Sequence, residues 1–261
     1  MFETLKLERD GRGVTTLTLA RPEKHNALSS QMIADLHAAA EELASDDTVR
    51  VVVLAADGES FCAGGDLDWM RAQFEATPEM RRTEASKLAY MLQALNTLPK
   101  PLIARVQGNA FGGGLGLVSV CDAAIGCNGA LFVLSETRLG LIPATIGPYV
   151  AARLGEARAR RVFMSGRRFD AAEAVRLGLL SAAVPEFALD EAVAREVDPY
   201  LECAPGAVTH AKRLLRSFGQ KIDESTIEHS IDALVHCWEG DEAREGVSAF
   251  FEKRPPRWNA G

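Results

Sequence analysis

The stretch GGGLGLVSVCD, Gly112–Asp122, follows a short apolar run and has helical character over most of its length. Four of its eleven residues are glycine, and Gly116 lies within the helical part. Each interior glycine costs a helix roughly 1 kcal/mol relative to alanine, so another requirement must hold glycine there. Glycine lets a main chain approach a ligand closely, and the free N–H groups at a helix start attract negative charge. The stretch therefore predicts either a tight turn or an anion site at the start of a helix.

A second loop of the same character is FCAGGD, Phe61–Asp66, which lies between an apolar strand pattern and a helix pattern. Neither loop contains the GKS/T of a P-loop or the spacing GxGxxG, so nucleotide binding at these glycines is disfavoured. Two such loops could each offer one backbone N–H to a single oxygen, which is the design of an oxyanion hole. Either loop alone would be interpreted as a tight turn.

The composition is that of a globular protein without a polyanion-binding surface. Of 261 residues, 47% are hydrophobic and 25% are charged, and the net charge of -7 argues against nucleic acid as a partner. The five cysteines form no CxxC pair, which disfavours a metal site or a disulfide framework. No apolar run reaches the roughly 20 residues that span a bilayer, and the first residues have no signal-peptide core. We expect a cytoplasmic protein that needs neither a membrane nor a metal.

The hydrophobic pattern alternates strands with helices in the first two-thirds of the chain and turns helical after about residue 156. This order predicts an α/β core with a helical C-terminal extension. The helices are expected at Ser30–Leu43, Leu67–Gln73 and Glu84–Leu98, and the strands at Val14–Leu19, Val49–Ala55, Leu102–Gln107, Ala123–Ile125 and Leu131–Val133.

Several motifs, in order along most of the chain, resemble the enoyl-CoA hydratase/isomerase (crotonase) superfamily. They are RPEKHNAL, FCAGGDL, QGNAFGGGLGL with CD after it, LSETRLGLIP and MSGRRFDAAEAVRLGLLSAAVP. The resemblance implies an α/β fold with a crotonase-like spiral core of ββα turns over residues 1–200. It also implies a C-terminal α-helical trimerisation region over residues 201–261, and a homotrimer or homohexamer.

The resemblance also assigns roles to the two glycine loops. The backbone amides of Gly65 and Gly113 would hold the thioester oxygen of an acyl-CoA as it gains enolate charge. Coenzyme A would enter as part of the substrate, so no separate cofactor is expected. Besides Gly65, Gly113 and Gly116, the substrate and CoA groove would be lined by Lys24, Ala63, Gly64, Asp66 and Leu67.

One of the two catalytic glutamates of the family's hydratases is present in this chain. Glu136, in LSETRLGL, matches the glutamate that exchanges a proton with Cα, and partial burial would raise its pKa toward neutrality. The position of the other, in the glycine helix, is Gly116. No acidic residue follows in that helix until Asp122, which is expected to be a structural partner.

Three functions remain open on these residues. Glu136 could work alone, as in Δ3,Δ2-enoyl-CoA isomerases. Hydration or dehydration could persist if the substrate carries its own carboxylate, with a water in the space left over Gly116. The similarity through FVLSETRLGLIPATIGPYV to bacterial 3-methylglutaconyl-CoA hydratases of leucine and isoprenoid-acid breakdown favours this second function. The third is a non-catalytic CoA-thioester-binding protein. RNA binding is disfavoured, because SQMIADLHAAAEEL contains no lysine or arginine.

Overall fold

The computed structural model describes residues 2–259, which form ten strands, eleven α-helices and four short 3-10 helices. The strands are β1 Leu5–Arg9, β2 Val14–Leu19, β3 Val51–Ala56, β4 Ser60–Cys62, β5 Leu102–Val106, β6 Asn109–Phe111, β7 Ala123–Cys127, β8 Leu131–Val133, β9 Phe169–Asp170 and β10 Ala182–Val184. The α-helices are α1 Ser30–Ser45, α2 Leu67–Glu75, α3 Pro78–Asn96, α4 Gly113–Val120, α5 Gly147–Leu154, α6 Glu156–Phe163, α7 Ala171–Leu177, α8 Leu189–Leu201, α9 Pro205–Phe218, α10 Glu224–Trp238 and α11 Asp241–Phe251. The 3-10 helices are Pro22–Lys24, Glu136–Leu139, Glu186–Ala188 and Arg257–Asn259.

The strands form two sheets, and the chain alternates between them. The larger sheet has the order β1-β2-β3-β5-β7-β10, and the smaller has the order β4-β6-β8-β9. Each of β3, β5 and β7 in the larger sheet is followed directly by a strand of the smaller sheet, and helices then lead to the next pair. All pairings are parallel except β1 with β2 and β8 with β9. This succession is the spiral of ββα turns that the family resemblance implies.

The buried core lies between the sheets and the helices that connect them. All six residues of β3 are buried, in agreement with its continuous apolar run. Helix α1 begins where the side chain of Ser29 accepts a hydrogen bond from the Met32 amide, and its apolar stripe, which includes Leu36, packs into the same core. The local sequence and the tertiary packing thus agree on these elements.

Three features differ from the sequence-based expectation. Five strands were not predicted (β1, β4, β6, β9 and β10), and three of them are only three residues long, too short to show a period of two. Helix α3 begins at Pro78 rather than at Glu84, because Thr77 caps it and proline suits the first helical position. The expected loop before Pro148 contains the 3-10 helix Glu136–Leu139.

The helices beyond residue 201 pack against the core. Ile227 and Ile231 of α10 form a cluster with Ala85 and Ala89 of α3. The predicted boundary between residues 200 and 201 falls at the end of α8, and its division of the chain into two units remains a prediction. The predicted ends at residues 1 and 261 lie outside the described residues. Within residues 2–259, no helix has the length and apolar character needed to cross a membrane.

Candidate active site

The pairing of two short parallel strands brings the two glycine loops together. In the smaller sheet, Ser60 of β4 lies beside Asn109 of β6, so the loops after both strands leave the same edge. The contact needs glycine: a Cβ built on Gly64 would lie 3.1 Å from the carbonyl oxygen of Phe111, and Gly64 has a φ of +95°. The close approach of the loops is therefore a direct result of the GG in FCAGGD.

Each loop presents a backbone amide that makes no hydrogen bond to another described residue. On one side, Leu28 donates its N–H to the carbonyl of Gly64 at 2.7 Å, and Asp66 donates to the carbonyl of Leu28 at 3.1 Å, which leaves the intervening Gly65 amide without an acceptor. On the other, Gly113 is the first residue of α4, where helix geometry supplies no acceptor. The pair can bind an oxygen that gains negative charge.

The Glu136 carboxyl lies against the second glycine loop. Its Oε1 is 3.0 Å from the position that a Cβ on Gly112 would take, so glycine at residue 112 makes room for the carboxyl. Its Oε2 is buried and has no hydrogen-bond partner among the described residues. Burial raises the pKa of Glu136 to about 7, because the charged form loses its hydration, and its own backbone N–H offsets this only in part. A carboxyl with this pKa can both accept and donate a proton near neutral pH.

A cavity of about 430 Å³ lies between the loops and the C-terminal helices. Its wall includes the backbone of both glycine loops and the side chain of Glu136, which is the only carboxyl among its described lining residues. The remainder is mainly apolar, with the Ser135 and Thr145 hydroxyls and the Arg138 guanidinium as the other polar side chains. The space fits an apolar chain that brings a polar group to the glycine loops.

Most of the predicted site residues meet at this cavity, but three of them, Lys24, Asp66 and Gly116, do not line it. Ala63, Gly64, Gly65, Leu67, Gly113 and Glu136 line it together. The amine of Lys24 is more than half exposed and lies 3.9 Å from the carboxylate of Asp68. Asp66 is buried beside the cavity, where its carboxylate accepts a hydrogen bond from the Asp68 amide and pairs with Arg21 at 3.2 Å. Asp66 therefore caps α2 and braces the loop.

Gly116 is not part of the cavity lining, and the space over it is filled. A Cβ at Gly116 would lie 2.5 Å from Cγ2 of Ile146 and 3.0 Å from its Cβ. The expectation that a water occupies this space is wrong, because the Ile146 side chain has taken it. Ile146 itself lines the cavity. An apolar side chain therefore lies where the family's hydratases would have their second catalytic carboxylate.

Sequence reasoning missed the walls supplied from distant parts of the chain. Leu234 and Trp238 of α10 and Phe250 of α11 line the cavity, although these helices were expected to serve assembly alone. Trp69 of α2 also lines the cavity, and its indole N–H donates to the Glu84 carboxylate at 3.2 Å. Such contacts depend on how the helices pack, so no local sequence motif predicts them.

Comparisons with known proteins give a family model, similar sequences and similar solved structures. A family model described as "Enoyl-CoA hydratase/isomerase" matches residues 9–261. The enoyl-CoA hydratase ACTT6 of Alternaria alternata is 34% identical over 242 residues, covering 91% of this chain and 78% of its own. The 1,2-epoxyphenylacetyl-CoA isomerase of Escherichia coli is 31% identical over 254 residues, covering 95% of each. A crystal structure of an enoyl-CoA hydratase from Mycobacterium avium has a TM-score of 0.85 at 31% identity, covering 99% of this chain and 100% of its own.

Proposed function

The chain belongs to the enoyl-CoA hydratase/isomerase family and is an enzyme of that family, and from this premise we propose that it adds water reversibly to an α,β-unsaturated CoA thioester. The proposed substrate carries a distal carboxylate, as 3-methylglutaconyl-CoA does. The observation that carries the proposal is the buried Glu136 carboxyl, with a pKa of about 7, beside two glycine loops whose amides have no acceptor.

In the proposed binding mode, the thioester oxygen accepts hydrogen bonds from the amides of Gly65 and Gly113. These backbone donors are already in place, so they stabilise the enolate without reorganisation, and one such donor is typically worth about 3 kcal/mol of barrier. The acyl chain lies along the apolar wall, with its Cα and Cβ facing Glu136. The proposed groove includes Ala63, Gly64 and Leu67 from the first loop, whereas Lys24 would contact only an outer part of CoA.

One carboxyl group is enough for the proposed hydration, because it accepts a proton in the first step and returns it in the second. The Glu136 carboxylate accepts a proton from water as the water oxygen bonds to Cβ. The C=C electron pair moves toward the thioester, whose oxygen gains charge at the amides of Gly65 and Gly113. The protonated Glu136 then donates its proton to Cα, which collapses the enolate and restores the carboxylate. Ile146 leaves no second carboxylate on that wall, so the distal carboxylate of the substrate would hold the water in line.

The alternative is a Δ3,Δ2-enoyl-CoA isomerase, in which Glu136 removes a proton from Cα and returns it to Cγ. The apolar Ile146 wall favours this reaction as well, because a single carboxyl suffices for it. The two reactions have opposite optical signatures. Hydration of a 2-enoyl thioester removes the absorbance of the conjugated system, whereas isomerisation of a 3-enoyl thioester creates it.

The test is a panel of CoA thioesters with the wild-type protein and with Glu136→Gln. We expect the wild type to hydrate 3-methylglutaconyl-CoA well and crotonyl-CoA poorly, and Glu136→Gln to lose at least about 100-fold in kcat, because general acid–base catalysis contributes on that order. Glu42→Gln, on the exposed face of α1, is the matched control and should keep wild-type rates.

Three results would count against the proposal. Equal turnover of crotonyl-CoA and 3-methylglutaconyl-CoA would remove the role of the substrate carboxylate. Turnover of 3-enoyl thioesters alone would identify the isomerase. Retained activity in Glu136→Gln would remove this residue from the chemistry.

A further inference from the structure

The direction of a side chain at residue 116 follows from the geometry of α4. Gly113 and Gly116 are three residues apart in this helix, so they share a face, and a helical side chain leans toward the N-terminus of its helix. A carboxylate at residue 116 would therefore extend toward the Gly113 amide and into the cavity. The physical obstacle to it is Ile146, whose Cγ2 is 2.5 Å from the Cβ position of residue 116.

Ile146 is held firmly where it blocks this position. It stands just before α5, and its carbonyl accepts hydrogen bonds from the amides of Tyr149 at 3.1 Å and Val150 at 3.0 Å. The hydroxyl of Tyr149 donates to the carbonyl of Ala89 at 3.1 Å, which fastens α5 to α3. The Ile146 side chain is 2% exposed, so it cannot swing into solvent to admit a larger residue at position 116.

We propose that Ile146 is a specificity-determining residue, which keeps the cavity to one carboxyl group by filling the space over Gly116. This inference rests on the proposed hydration. With Ile146 in place of a second carboxylate on the cavity wall, a substrate that brings its own carboxylate can hold the attacking water, and a plain enoyl-CoA cannot. Because the Gly116–Ile146 pair offers no polar group to the attacking water, it favours substrates that carry a carboxylate of their own.

The deciding experiment places a carboxylate at position 116 and removes the obstacle. The variant is Gly116→Glu with Ile146→Gly, since the Cβ of residue 146 would itself lie 3.0 Å from the new Cβ. The matched control is Gly116→Gln with Ile146→Gly, which has the same shape but no carboxylate. Hydration of crotonyl-CoA is followed by loss of enoyl absorbance, binding of the inert butyryl-CoA by calorimetry, and folding by circular dichroism.

We expect the Glu variant to hydrate crotonyl-CoA at least tenfold faster than the wild type. The gain should lie in kcat, and KM should stay within about threefold of the wild-type value. The Gln variant should show no such gain. Equal gains in both variants would overturn the proposal, because added space would then explain them. No gain in a folded Glu variant that binds butyryl-CoA as the wild type does would overturn it as well.

A second pair keeps the proposal testable if the larger substitutions prevent folding. Gly116→Ala alone should lower the melting temperature, because its methyl group meets Ile146, and the same change made in an Ile146→Gly background should lower it by less. A Gly116→Ala protein as stable as the wild type would show that Ile146 does not fill the space. Wild-type turnover of 3-methylglutaconyl-CoA, measured in parallel, separates the two claims: its absence overturns the proposed hydration, whereas its presence beside a failed Glu variant overturns only the role of Ile146.

Discussion

At the scale of the residue, the proposed chemistry depends on the desolvation of Glu136. Burial raises the pKa of this carboxyl to about 7, and the carboxylate is the form that accepts the proton from water. We therefore expect kcat/KM for hydration to rise about tenfold per pH unit below pH 7 and to level off above it. A rate profile between pH 5 and 9 measures this. A profile that is flat from pH 5 upward would place the pKa near the ordinary value for glutamate and contradict the burial argument.

The second prediction at this scale concerns Gly113, whose amide is one of the two proposed oxyanion donors. A Cβ at this residue would lie 2.6 Å from Cδ1 of Leu28, a buried residue that also lines the cavity. In Gly113→Val, the new valine side chain should be forced toward the thioester site. We expect kcat/KM to fall at least about 100-fold, the typical effect of losing one such donor. Gly129→Ala is the control, since nothing lies within 4 Å of its added methyl group. Equal rates in the two variants would argue against an oxyanion site at Gly113.

At the scale of the element, helix α9 is fastened to the core by a partly buried ion pair. Lys212 of α9 contacts the Asp122 carboxylate at 2.7 Å and donates to the carbonyl of Lys100 at 2.9 Å. The same carboxylate oxygen of Asp122 accepts a hydrogen bond from the Leu102 amide at 2.8 Å. Burial lowers the pKa of Lys212, and Asp122 counteracts that effect. Asp122 thus has the structural role that its position at the end of the glycine helix predicts.

Removing the cation should destabilise the fold more than removing an exposed one. Lys212→Met leaves the Asp122 carboxylate without its partner, and we expect the free energy of unfolding to fall by about 2 kcal/mol, below the 3–5 kcal/mol of fully buried pairs. Arg195→Met, which breaks an exposed pair within α8, should change it by less than about 0.5 kcal/mol. Urea denaturation measures both. Equal losses would show that Lys212 does not fasten α9 to the core.

The elements that periodicity specifies are those that the sequence predicts well. The bounds of β2 and β8 match the prediction, and β3 and α1 shift by only a few residues at their ends. By contrast, β4 and β6 have no local signal, because three residues gain stability only from pairing with each other across a long separation in sequence. The glycine loops could be proposed as partners from their motifs, but the filling of the Gly116 site by Ile146 could not, because it depends on how α5 packs on α4.

At the scale of the whole molecule, the cavity requires both parts of the chain. The core supplies Glu136 and the glycine loops, while Trp238 of α10 and Phe250 of α11 supply another part of its lining. Helix α9, which lies between the core and these two helices in sequence, has no buried residue. Helices α10 and α11 therefore complete the cavity. Helix α9 instead presents a surface that the single chain leaves exposed.

The last prediction concerns that surface, which we propose as a contact between copies of the chain in a homotrimer or homohexamer. Leu214, Leu215 and Phe218 lie on one face of α9 and are 57%, 71% and 75% exposed, and burial of such side chains would favour association. Light scattering should give a trimer or hexamer for the wild type and a smaller species for Leu215→Glu with Phe218→Glu. Arg213→Glu, on another face of the same helix, should leave the mass unchanged. A wild-type monomer, or a double variant of unchanged mass, would show that this face does not mediate assembly.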